Sequence, residues 1–163
     1  MKPNNITRLL DAYKISYTAY EFPPEKLGAV EVARLLGVSP DLVYKTIVVT
    51  REKPRKPILA LVPGPKEVDL KALAQAVGEK KLHLPTERQA EQLTGLQAGG
   101  ISALALLKRG FQVVIDASAQ AHAEIYISGG QRGLDIRLPV AALIELTHGR
   151  VLAIASSFSA AVE

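Results

Sequence analysis

The sequence predicts a mixed α+β domain: a curled, mostly antiparallel mixed sheet, open or barrel-like, with helices packed around it. Three observations predict it. Short β-rich runs and short helical periods alternate irregularly, without the strict βαβ order of a parallel sheet. Two β-rich runs are joined by a tight polar turn, as in a hairpin. Of the 163 residues 48% are hydrophobic, enough for one core, yet nothing approaches the roughly 18–20 apolar residues of a membrane span. Residues 1–155 are expected to form a single domain and residues 156–163 a flexible C-terminal tail.

Each element has a local reason. Ile6, Leu9, Leu10 and Tyr13 recur at helical spacing and predict an amphipathic first helix. The run from Tyr17 to Phe22 alternates aromatic and small residues and reads as a strand stopped by Pro23-Pro24. Ala29 to Leu36 places Val32, Leu35 and Leu36 on one helical face, with Gly37 as C-cap. Tyr44 to Thr50 and Ile58 to Val62 form the hairpin, with Arg51 to Pro57 as its turn. Asp69 caps a helix that runs to Val77 and closes at Gly78. Lys81 to Leu84 reads as a short strand and Glu87 to Leu93 as a short helix. Val113 to Ile115, Glu124 to Ser128 and Leu134 to Leu138 are strands; Pro139 opens a last helix as its first residue, before a final strand from Val151 to Ala155.

Composition removes whole classes of chemistry. With no cysteine, disulfides, thiolate metal sites and a cysteine nucleophile are excluded together. His83, His122 and His148 are dispersed, without the pairing of a zinc site or a catalytic triad, so no metal and no cofactor are expected. Ser128 has glycines only after it, unlike a nucleophile elbow, and Gly95 to Gly100 lacks the Gly-Lys-Ser/Thr ending of a P-loop. The formal net charge of +4 suits an anionic partner touched through a few phosphates, or simply a solvated basic surface. The basic turn Arg51, Lys53, Arg55, Lys56 has the same two readings: a solvated hairpin tip, or a rest for an RNA backbone. The start, Met1-Lys2-Pro3-Asn4-Asn5, runs directly into the amphipathic helix without a signal-peptide pattern, so no membrane and a cytoplasmic location are expected.

What remains is backbone. Gly99-Gly100-Ile101-Ser102 and Ile127-Ser128-Gly129-Gly130-Gln131-Arg132-Gly133-Leu134-Asp135 are two glycine-paired loops beside apolar runs, and together they suggest a pocket built from main-chain amides. Lys45, at the start of a strand that looks central, either snorkels to solvent or offers a point charge to a phosphate, hydroxyl or carbonyl oxygen. Tyr20 is a half-buried strand aromatic or lines the same pocket through its hydroxyl. Asp135 is a turn residue or, facing inward opposite Lys45, a group that binds an amine, orients water or pairs with the lysine.

Val43-Tyr44-Lys45-Thr46, Thr94-Gly95 with Gly99-Gly100-Ile101-Ser102, and Tyr126-Ile127-Ser128-Gly129-Gly130 with Arg132-Gly133-Leu134-Asp135 occur in the order and spacing of a known family. In these segments the chain resembles the YbaK/EbsC family of free-standing aminoacyl-tRNA deacylases, relatives of the editing domain inserted in bacterial prolyl-tRNA synthetases. The resemblance runs from Leu9-Leu10 through Leu152. It implies the editing-domain fold and removal of cysteine from mischarged Cys-tRNA(Pro), and in some members from Cys-tRNA(Cys). It also implies that the substrate's own thiol attacks its ester carbonyl and leaves as a cyclic thiolactone, so that the protein need only orient and stabilise. Carried over residue by residue, it makes Lys45, Gly100 and Asp135 catalytic, with the Gly100 amide holding the ester carbonyl oxygen. Tyr20, Thr46, Gly99, Ile101, Ser102, Ser128, Gly129 and Gly130 become substrate-binding. The implied partners are aminoacylated tRNA, above all mischarged tRNA(Pro), and prolyl-tRNA synthetase.

The chain departs from the family pattern at Ala103 and Ala105, where Pro and Gly are common, at Gln92-Leu93, and at Leu27. These departures bear on substrate preference. They keep two alternatives open: an Ala-tRNA(Pro) deacylase that uses water, and a non-catalytic module that binds tRNA or a synthetase.

Overall fold

The computed structural model describes residues 2–159. Helix α1 (Asn5–Ala12) begins at a capping box: Asn4 Oδ1 accepts from the Thr7 amide and Thr7 Oγ1 from the Asn4 amide, each at 2.9 Å. The expected amphipathic face forms, and Ile6 and Leu10 are buried on it while Tyr13, at the C-cap, lies exposed. Strand β1 (Thr18–Glu21) and helix α2 (Ala29–Leu36) follow. The hairpin is present as β2 (Tyr44–Arg51) and β3 (Ile58–Pro63), in register from Tyr44 opposite Pro63 to Val49 opposite Ile58.

Beyond it come β4 (Lys66–Val68), α3 (Leu70–Val77), β5 (Leu82–His83) and α4 (Glu87–Thr94). The last third holds β6 (Gln112–Asp116), β7 (Glu124–Ser128), β8 (Leu134–Pro139), α5 (Val140–Thr147), β9 (Arg150–Leu152) and β10 (Ala155–Ser159). Pro139 ends β8 and serves as N-cap of α5, one position earlier than expected.

A five-stranded sheet has the order β5-β2-β3-β6-β9 and a three-stranded sheet the order β1-β8-β7; β10 and β4 form a separate pair. Among the described strand pairs only β3–β6 and β6–β9 are parallel, so the mixed, mostly antiparallel sheet is observed. All six residues of β3 are buried, as a strand covered on both faces requires. Among the described residues the backbones of the two larger sheets are linked by one parallel bridge, Val43 to Tyr126. β5 joins β2 only at Thr50 and Arg51, so between the bridge and Thr50 the outer edge of β2 has no strand neighbour and the barrel stays open. Lys45 therefore sits at a half-open edge, not in a strand flanked on both sides.

Apolar side chains fill three regions. Tyr44, Val48, Leu59 and Leu61 of one sheet pack against Ile125, Ile127, Leu134, Ile136 and Leu138 of the other, with Ile6 and Leu10 among them. On the opposite face of the five-stranded sheet, Val49, Ile58, Ala60, Val62 and Val114 pack against Leu73 and Ala74 of α3. Val32 and Ala33 of α2 cover Val43 and Tyr126. Among the described residues no helix is long and apolar enough to cross a membrane.

The expected tail is a correction in part. Residues 155–159 form β10, antiparallel to β4, because the Asp116 carboxylate holds the chain there: its Oδ1 accepts from the amides of Ile154 and Ala155, both at 2.9 Å. Residues 160–163 of that tail lie outside the described residues. Strand β4 carries no apolar alternation that would announce it.

Candidate functional site

The open edge of β2 is one wall of a cleft of about 370 Å³. Tyr44 through Val48 line it consecutively, which a strand presents only along its edge, and that edge carries main-chain groups without a ladder partner. The other walls are Leu27 to Ala29 and Val32 at the start of α2, Ala98, Gly99 and Ile101 of the first glycine loop, and Ser128 and Asp135. Leu84, Pro85, Glu87 and Ala90 form the rim.

Asp135 reaches the cleft because β8 alternates. Leu134, Ile136 and Leu138 enter the core, so Asp135 must face the other way, opposite Tyr20 in β1 and Ser128 in β7. It is 8% exposed and its side chain makes no hydrogen bond or ion pair among the described residues. Burial alone pushes its carboxyl up from the ordinary 3.8 to about 7. Ser128 does not answer it: its Oγ accepts from the Gly130 amide at 3.2 Å.

Lys45 lies on the cleft wall, 24% exposed, with Nζ 3.5 Å from Glu67 Oε1 on β4. Among the described residues the lysine's ion-pair partner is Glu67 and not Asp135, so the two are separate groups in one cleft. Thr46, next along the edge, also lines the cleft.

The two glycine loops are locked together. Arg132 Nε donates to the Ala98 carbonyl at 2.7 Å, and the Ala98 amide donates to Glu91 Oε2 at 2.8 Å. A Cβ on Gly100 would stand 2.9 Å from Cα and carbonyl carbon of Gln131, so only glycine permits this backbone contact. Asn4 Nδ2 ties the second loop to α1 through the Gly129 carbonyl at 2.9 Å.

This packing redistributes the expected roles. Of the predicted site residues, Lys45, Thr46, Gly99, Ile101, Ser128 and Asp135 line the cleft together. Gly100 does not, and its amide donates to the Gln97 carbonyl at 2.8 Å, so it is not free to hold a substrate oxygen. The amides of Gly99 and Ile101 make no hydrogen bond among the described residues. Ser102 is fully buried and its Oγ caps the turn at Leu104. Gly129 closes the β7–β8 hairpin through the Leu134 carbonyl at 2.7 Å, and a Cβ on Gly130 would strike Ile6. Tyr20 is Asp135's strand neighbour but packs its ring against Tyr126, centroids 5.7 Å apart, outside the cleft lining.

Of the α2 wall, sequence reasoning singled out Leu27 alone, as a departure bearing on substrate preference, and missed Gly28, Ala29 and Val32. Gly28 caps α2 without a side-chain bond, so its first amides open beside Gly28 and Ala29 on the cleft. An uncapped glycine before an amphipathic run was the available signal. Among the described residues no group of three or more histidines, cysteines or carboxylates is placed to hold a metal.

Comparison with known proteins supplies the context for this geometry. A family model described as "Aminoacyl-tRNA editing domain" matches residues 23–146. A protein of Enterococcus faecalis named "Putative Cys-tRNA(Pro)/Cys-tRNA(Cys) deacylase EbsC" is 35% identical over 148 residues, covering 90% of this chain and 89% of that one. A proline–tRNA ligase of Thermodesulfovibrio yellowstonii is 32% identical over 120 residues, 74% of this chain but only 19% of the ligase. A crystal structure described as "a putative trans-editing enzyme for prolyl tRNA synthetase" superposes with a TM-score of 0.75 at 22% identity, covering 96% of this chain and all of that one, and so shares its fold.

Proposed function

The chain belongs to the aminoacyl-tRNA editing domain family, and from that premise we propose that it is a deacylase that removes cysteine from mischarged Cys-tRNA(Pro). The observation that carries the reading is the inventory of the cleft: a buried, unpartnered carboxyl, two unclaimed amides and a lysine, with no cysteine among its lining residues and no histidine beside the Thr46 and Ser128 hydroxyls to activate them. Such a cleft orients and stabilises; the attacking group comes from the substrate.

In this reading Asp135 receives the α-ammonium of the aminoacyl group, the ion pair its buried carboxyl lacks. Lys45, held toward the mouth by Glu67, takes a phosphate or the ribose of the terminal nucleoside, and the open start of α2 adds its dipole. The cysteinyl sulfur attacks its own ester carbonyl. The carbonyl oxygen gains negative charge against the amides of Gly99 and Ile101, in place of Gly100. Collapse expels the ribose oxygen, which ends with the proton the thiol gave up, and the cyclic thiolactone departs. An oxyanion donor of this kind is worth about 10²–10³ in rate. Delivery by prolyl-tRNA synthetase completes the proposal, supported by the likeness to part of a proline–tRNA ligase.

A deacylation panel tests it. Purified protein is incubated with Cys-tRNA(Pro), Cys-tRNA(Cys), Ala-tRNA(Pro) and Pro-tRNA(Pro). Release of cysteine as thiolactone is expected. Loss of the alanyl ester alone would replace the thiol mechanism by attack of water, and binding without release of any amino acid would reduce the protein to a recognition module.

A further inference from the structure

The molecule's basic charge is collected at one end of the five-stranded sheet. Residues 51–56 and 79–81 contain Arg51, Lys53, Arg55, Lys56, Lys80 and Lys81 against Glu52 and Glu79, a net +4, which equals the formal charge of the whole chain. Everything else is balanced.

The fold brings the two segments together. β5 runs antiparallel to β2 with Thr50 opposite His83 and Arg51 opposite Leu82, so Lys80 and Lys81 enter β5 at the same end of the sheet where β2 leaves into the hairpin. Like charges side by side at a strand end are destabilising. Here the internal relief is partial. Glu79 is 3.1 Å from buried Arg51 and 3.6 Å from Arg55, and Glu52 stands 3.7 Å from His83. Lys53, Lys80 and Lys81 are exposed and form no ion pair among the described residues. The platform is stiff, because Arg51 Nε donates to the Lys56 carbonyl across the hairpin at 3.0 Å and Arg51 Nη2 to Gln112.

This end is also continuous with the cleft. Pro85 lines both the cleft and a shallow groove formed with Thr50, Gln89, Gln92 and Leu93, and Thr50 is the last residue before the basic hairpin. Along β2, Thr46 in the cleft and Arg51 at the strand's end are about 17 Å apart at ~3.3 Å per residue, room for several consecutive phosphates. We propose that the hairpin 52–57 and Lys80-Lys81 form a docking surface for the sugar–phosphate backbone of the RNA whose 3′ end enters the cleft, with the groove at Thr50 as its path. The proposal rests on the deacylase reading for the RNA's identity, and on charge and topology for its place.

The test is a triple variant, Lys53→Gln with Lys80→Gln and Lys81→Gln, beside a control of equal charge change at the N-terminal helix, Lys2→Gln with Arg8→Gln and Lys14→Gln. Filter binding of uncharged tRNA(Pro) is measured from 50 to 300 mM KCl, with deacylation of Cys-tRNA(Pro) and of cysteinyl-adenosine, which carries no phosphate. The triple variant is expected to lose at least tenfold in affinity at 50 mM salt. Its slope of log K against log salt should be shallower by about 2, for about three phosphate contacts. KM for Cys-tRNA(Pro) should rise while turnover of cysteinyl-adenosine is unchanged. Equal weakening by the control, an unchanged slope, or loss of binding to phosphatidylserine vesicles with tRNA binding intact would each overturn it. If tRNA binding falls as expected but no ester is cleaved, the deacylase reading fails and the docking surface stands. If cleavage proceeds with KM unchanged in the variant, the reverse holds.

Discussion

Asp135 and Ser128 stand directly opposite one another across the β7–β8 pair, yet neither side chain bonds the other. The serine turns back to the Gly130 amide and the carboxyl is left facing the cleft. Because Asp135 binds its proton more tightly folded than unfolded, its contribution to stability is full below the unfolded value near 3.8 and is lost as pH rises through about 7. Above that, the folded protein carries a buried unpaired charge, a cost bounded at about 4 kcal/mol. Asp135→Asn should therefore raise the Tm at pH 8, leave it nearly unchanged near pH 4, and abolish deacylation throughout. Thermal melts across that range check it; a lower Tm at pH 8 would mean that the carboxylate has a partner.

Asp116 runs the other way. Burial pushes its carboxyl up, but the bonds from Ser118 and from the amides of Ile154, Ala155 and Ser118 outweigh it and hold it below the ordinary value. Its stabilisation is present above the unfolded value and lost as pH falls through the folded one. Asp116→Ala should cost about 3 kcal/mol at pH 7. It should also speed hydrogen exchange at the Ile154 and Ala155 amides, which read the attachment of β10.

Lys45→Ala should reduce deacylation at least 100-fold and shift the urea midpoint little, since its partner Glu67 is exposed and such pairs contribute about 0–1 kcal/mol. Glu67→Gln should keep most of the activity. A large loss of stability in Lys45→Ala would make the lysine structural.

Gly100→Ala would drive a methyl group into Cα and carbonyl carbon of Gln131. A destabilisation of about 1–3 kcal/mol is expected, read by urea unfolding. Activity should fall further than stability accounts for, because separating the loops moves Gly99 and Ile101.

Much of this was legible beforehand where local pattern and tertiary context agree. The β2–β3 hairpin, α2 closing at Gly37, and α3 between Asp69 and Gly78 follow from alternation, periodicity and caps. β4 and β10 were not, because Lys66-Glu67-Val68 and the polar Ser156-Ser157 carry no burial pattern and are held by contacts distant in sequence, Asp116 above all. In the cleft, motif position identified the glycine loops, but the direction of an amide is set by the turn it closes: Gly100 spends its N–H on Gln97. Nor does residue type announce that Asp135 is buried without a partner. That depends on β1 and β7 flanking it.

The open edge of β2 gives the cleft a property that side-chain sites lack. Main-chain groups are present whatever residue occupies a position, and only proline deletes one, the N–H. Mutation is left free to act on the shape around them, at Leu27, Val32 and Leu84. One methylene on such a wall changes discrimination by about 1–3 kcal/mol. Single substitutions on that wall are therefore expected to change which side chain the cleft accommodates while its main-chain frame stays in place.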